Sequence, residues 1–172
     1  LMPIFAAEVF KGDARMLGFL IGAAGFGGSS ALIYLAARKN VRGLSSHIVV
    51  GMLMTGSSLM VFGESQLLWL SLTAIWLTGF GIILVAMSTS MILQTIVSDE
   101  KRGRVMSFFT VAFLGMNPLG SFVAGWAAHR IGAGHALFAG GICCVAGGLW
   151  LWRQLPRLRA NIRSLYAHLG VD

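Results

Sequence analysis

The stretch from Ser65 to Arg104, SQLLWLSLTAIWLTGFGIILVAMSTSMILQTIVSDEKRGR, decides the fold. No charged residue occurs between Ser65 and Ser98, a run of 34 residues. As an α-helix it would extend about 51 Å, well past the roughly 30 Å of a bilayer's hydrocarbon core. Its composition changes along its length. Leu67 to Met87 is dense in Leu, Ile and Trp, whereas Ser88, Thr89, Ser90, Gln94 and Thr95 crowd the end, which is therefore expected to face protein or water. The charged residues Asp99, Glu100, Lys101, Arg102, Gly103 and Arg104 follow and read as a turn at the membrane surface, where acids ahead of bases can cap a following helix.

Working outward, uncharged runs also cover 16–37, 105–129 and 131–152, each at or above the roughly 18 residues that suggest a spanning helix. Of the 172 residues 56% are hydrophobic and 11% charged, against about 25% charged in a soluble domain. Mean hydropathy is +0.79. A water-soluble globule is excluded, and the chain reads as an all-α, polytopic transmembrane helical bundle. Its expected spans are 1–10 (partial), 16–37, 44–63, 67–97, 105–129 and 131–152, making one bundle over 1–153 with a basic tail over 154–172. Leu1 to Ala7 is too short to cross a bilayer before Glu8, so the first helix is expected to be cut short.

The net charge of +7 would suggest nucleic acid in a soluble chain; here its placement reports orientation instead, and no nucleic-acid partner is expected. Arg38, Lys39, Arg42, Lys101, Arg102, Arg104, Arg153, Arg157, Arg159 and Arg163 fall on one side of the membrane, and only Lys11, Arg15 and Arg130 on the other. Lys and Arg accumulate on the cytoplasmic side. The C-terminus is thus expected on the cytoplasmic side of the membrane. In the tail, Leu155, Leu158, Ile162, Leu165 and Leu169 alternate with arginines at helical spacing, the pattern of a helix lying on the lipid surface.

Enzyme chemistry finds little support. Gly25 to Ser30 is glycine-rich but lacks the lysine of a phosphate loop and lies in mid-span. Cys143 and Cys144 are adjacent in an apolar run, and His47, His129, His135 and His168 show no metal-ligand spacing. No catalytic residue, metal or cofactor is expected. No acid lies in mid-span; Glu8 is the nearest and is the candidate proton-linked residue. Small residues do mark helix packing: Gly18 with Gly22, Ala23 with Gly27, and Ala24 with Gly28 are four-residue pairs that let backbones approach. Pro118, between Gly115, Asn117, Gly120 and Gly125, should kink its helix and leave one face bare, as broken helices beside a binding cavity do.

The run Gln94 to Ser107, followed by Pro118, Leu119, Gly120, Ser121 and Gly125, resembles the region around helices ten and eleven of major facilitator superfamily transporters, especially their bacterial enterobactin and siderophore-exporter-like branch. The resemblance implies half of a twelve-helix fold, helices seven to twelve with seven truncated. It implies a secondary transporter exporting a small molecule by alternating access, whose partners are the lipid bilayer, a missing N-terminal six-helix half and the substrate. It also makes Ser88, Thr89, Gln94 and Asn117 candidate substrate-path contacts, Gly115, Pro118, Gly120 and Gly125 candidate kink and gating positions, and Asp99, Glu100, Arg102, Gly103 and Arg104 a cytoplasmic turn. The segment Ala37 to Gly43 is similar to the family's signature loop, with its bases and glycine but without its acid. A self-assembling half-transporter or a non-transporting membrane interaction module is the alternative.

Overall fold

The computed structural model describes residues 14–38, 43–65 and 67–169, with side chains from Arg15 as far as Leu155. The partial first span at 1–10, with Glu8, lies outside these residues, as do Lys39 to Arg42 and the tail's side chains beyond Leu155. Five α-helices follow in order: α1 (Ala14–Ala36), α2 (Leu44–Glu64), α3 (Leu68–Ile96), α4 (Asp99–Ile131) and α5 (Ala133–Leu169). No strand occurs among the described residues, and all five helices contain segments long and apolar enough to cross a membrane. The chain is a polytopic helical bundle.

The joints are short and are set by local chemistry. Gly132, alone between α4 and α5, takes a φ of 86°, a left-handed region that costs a side-chain-bearing residue and not glycine. Its N–H donates to the Ala128 carbonyl at 2.9 Å and its own carbonyl accepts from Ala136 at 3.1 Å, so one residue reverses the chain with its backbone paired. Gly43 does the same service before α2, with φ 92°.

One expectation needs correction. The sequence suggested a turn over Asp99 to Arg104 and a span beginning at 105, but the turn is only Val97 and Ser98, and the charged residues form the opening of α4. Asp99 and Glu100 occupy the first turn, where the helix dipole favours acids. Arg102 pairs with Asp99 across one turn at 2.6 Å, and the Ser98 carbonyl accepts from Lys101 and Arg102. α4 also runs unbroken through Pro118. The last span and the tail are likewise one helix, continuous to Leu169.

α2 is the hub, packed against α3 and α5, while α1 lies on α3 and α4 touches mainly α5. Backbones meet closely at glycines. A Cβ on Gly56 would lie 2.7 Å from the Gly141 carbonyl oxygen, and one on Gly141 2.6 Å from that of Gly56. Seven residues away along both helices, Gly63 and Gly134 repeat the arrangement at 2.7 and 2.6 Å. Gly51 and Gly81 oppose each other between α2 and α3, and Gly27 and Gly79 press on the Trp76 and Ala24 carbonyls between α1 and α3. Lipid offers apolar side chains no hydrophobic gain from associating, so such contacts carry much of the cohesion through van der Waals packing. Of the small-residue pairs on α1, Ala24, Gly27 and Gly28 are used, whereas Gly18 and Gly22 meet none of the described residues.

The core gathers at one end. Leu20, Phe62, Ala74, Ile75, Ala128, Ala133 and Ala136 bring all five helices together near the α2–α3 and α4–α5 joints. From that junction α4 departs with no other buried residue along its length.

Candidate functional site

The polar residues at the end of α3 do not line one surface. Ser88 is fully buried, with no hydrogen-bond partner for its hydroxyl. Thr89 is half-buried and donates to the Val85 carbonyl at 2.8 Å, which satisfies it within its own helix. Gln94 is exposed and donates from Nε2 to Ser90 Oγ at 3.0 Å. Ser88 and Gln94 are about 120° apart around a helix of 3.6 residues per turn. Asn117 is exposed on α4, and no hydrogen bond joins it to the α3 group.

Gly115, Pro118 and Gly120 are exposed and Gly125 is half-buried; a Cβ at any of the three glycines would meet nothing within 4 Å. Around them stand Phe108, Val111, Met116, Leu119, Phe122 and Val123, each more than 60% exposed. α4 therefore presents a long apolar surface interrupted by Asn117 and Ser121. At its start Gly103 is open, and the Arg104 carbonyl accepts from Ser107 Oγ at 2.8 Å.

Two polar groupings escaped the sequence reading. Between α2 and α3 the Ser58 and Thr78 hydroxyls share a hydrogen bond of 2.8 Å, and the Ser65 and Ser71 hydroxyls meet near the α2–α3 joint. The signal was present as Gly51, Thr55, Ser58, Phe62 and Ser65, small or polar at four of five positions spaced four and three apart along one face. Where α1 gives way to α2, Arg38 reaches His47, with Tyr34 beside both. Nine residues separate Arg38 from His47, and no periodicity links them.

Among the described residues no three of His, Cys, Asp and Glu come together as a metal-holding group. His129 and His135, flanking the Gly132 joint, are both exposed, and Arg130 lies 5.4 Å over the Trp126 ring, a cationic and aromatic pairing suited to a membrane boundary.

Residues 1–168 match the family described as transmembrane secretion effector, of the major facilitator type. The chain belongs to this family. Among curated proteins it is similar to the uncharacterized transporter YgaY of Escherichia coli O157:H7 and to its counterpart in Escherichia coli strain K12. Identity is 26% over 163 residues in each case, covering 95% of this chain and 41% of the relative. The chain thus spans about two-fifths of the length of the curated relatives it matches. No solved structure matches it. Membership of the transmembrane secretion effector family agrees with the five membrane-length helices and with a bilayer as the chain's surroundings.

Proposed function

We propose that the chain is one helical half of a secondary active transporter that moves a small molecule out of the cell by alternating access. The observation that carries this reading is the state of α4: a 33-residue helix with bare glycines and a polar Asn117 on an otherwise apolar surface, with no neighbour among the described residues along most of its length. Helices of this composition serve transporters where two bundles rock against each other around a midplane site. The missing six-helix half is the natural occupant of that surface. Gly115, Pro118, Gly120 and Gly125 then act as the moving contact, and Asn117 with Gln94 supplies uncharged polar contacts to the substrate. Ser88, being fully buried, serves this role only if the helices around it part.

No Lys, Arg, Asp or Glu lies within 16–37, 65–98, 105–129 or 131–152, which favours an uncharged or amphipathic substrate, siderophore-like or drug-like. Glu8 is the proposed proton-linked carboxylate. The ten basic residues on the α1–α2, α3–α4 and C-terminal side put that side and the C-terminus in the cytoplasm of a bacterial inner membrane. No nucleic acid, cofactor or catalytic step enters this mechanism.

The test is retention. Cells expressing the full-length protein, with insertion verified, are loaded with a panel of fluorescent amphipathic compounds and siderophores. Reduced retention of at least one compound, reversed by Asn117→Leu, is expected. Unchanged retention of every compound would sink the transport reading.

A further inference from the structure

We propose that Tyr34, Arg38 and His47 form a proton-sensitive clasp, which ties the end of α1 to the start of α2 while His47 is neutral and releases it when His47 is protonated. The hydrogen bonds assign the state of the imidazole. His47 Nδ1 lies 2.8 Å from the Gly43 carbonyl oxygen, which can only accept, so Nδ1 carries the proton. Arg38 Nη1 lies 2.5 Å from His47 Nε2. A guanidinium has donors only, so Nε2 must be the acceptor and the ring must be neutral. The Tyr34 hydroxyl is 3.3 Å from the same nitrogen. The tyrosine ring also supports both partners, with its centroid 5.8 Å from the Arg38 guanidinium carbon and 6.0 Å from the imidazole centroid.

A proton on Nε2 removes the acceptor and sets two cations against each other at hydrogen-bond distance. Among the described residues no acid packed against His47 offsets that charge. From α1 the group facing His47 is Tyr34, and Arg38 follows two residues after that helix ends. α3 has no ionisable residue from Leu68 to Ile96, and among the described side chains α5 offers the exposed Arg153 toward its C-terminal end. α2 has its one acid, Glu64, at the opposite end. The link between α1 and α2 adds Lys39 and Arg42, and no acid occurs in the sequence between Asp13 and Glu64. Asp99 and Glu100 belong to α4, which is not packed on α2, and Asp99 is engaged by Arg102. The clasp is consequently closed while His47 is neutral and opens when its ring gains a second N–H. It stands on this geometry alone and is independent of what the protein carries.

The test uses the full-length protein in liposomes, with Cys143→Ala and Cys144→Ala and spin labels at Ile33→Cys and Val50→Cys, positions 71% and 48% exposed. One narrow distance is expected at about pH 8, with a longer component growing at least about five-fold by about pH 5. His47→Gln, an acceptor that gains no charge, should stay narrow at both, and His47→Arg should show the longer component at both. A wild-type distance unaffected by pH, or a pH response preserved in His47→Gln, overturns the proposal. A second measurement needs no change at His47. In a chain with His129, His135 and His168 replaced by Gln, the nitrogen-15 resonances at about pH 8 should report the Nδ1–H tautomer. The Nε2–H tautomer overturns the proposal as well.

Discussion

α2 and α4 are both apolar, both carry glycines at intervals and both are long enough to cross a membrane, yet they use those glycines in opposite ways. On α2, Gly51, Gly56 and Gly63 each face a carbonyl of α3 or α5 that lies 2.7 to 2.9 Å from where a Cβ would stand, closer than van der Waals contact allows. On α4, Gly103, Gly115, Gly120 and Gly125 face none of the described residues within 4 Å. Glycine on α2 is spent on holding the bundle together, whereas on α4 it keeps a surface bare. The first requirement is for stability and the second, on the proposed function, for movement against a partner.

The largest test of this contrast is a side chain at the α2–α5 seam. Gly56→Leu would drive atoms into the Gly141 carbonyl and the Val145 side chain. A loss of about 3 kcal/mol or more is expected, read as a lower thermal unfolding midpoint in detergent; an unchanged midpoint would mean that the seam is not closed in the membrane. Next comes the Ser58–Thr78 hydrogen bond. A double-mutant cycle with Ser58→Ala and Thr78→Ala should give a coupling near 0.6 kcal/mol, the usual value for hydroxyls bonded between membrane helices. Zero coupling would shift the cohesion of α2 and α3 to glycine packing alone.

For α4 the sign differs. Gly115→Ala should leave the unfolding midpoint unchanged or raise it, by up to about 1 kcal/mol from the added helix propensity, while export falls if the bare face must meet a moving partner. Destabilisation by Gly115→Ala would show that α4 already has a close neighbour there. Smallest is the Arg102–Asp99 pair, where both side chains are solvent-accessible. Asp99→Asn should cost about 0.3 kcal/mol, the scale of an exposed pair within one helix, and less at high salt. A loss several times larger would indicate a second partner for Asp99 outside this chain.

Much of the fold was legible because crossing a bilayer is a local demand. Each uncharged run from 16 to 152 reports its own fate in lipid, and these runs coincide with helical segments. The turn at Asp99 was misplaced because charge marks the membrane surface without marking the end of a helix, and acids in a first turn suit the helix dipole. The site was far less legible. Ser88, Thr89 and Gln94 looked like one polar patch, but helix geometry sends them to different faces and burial separates them further. Arg38 and His47 stand nine positions apart with no shared periodicity, so nothing within Ala37 to Gly43 points to the imidazole that Arg38 reaches.

By itself the sequence determined that this is a multi-span helical membrane protein and which family pattern it resembles, since these depend on hydropathy and charge within each segment. Only the tertiary structure decided which glycines are packed, which hydroxyls pair and what Arg38 holds. Each of those depends on the register between helices far apart in sequence, and a glycine's part is fixed by the carbonyl across from it.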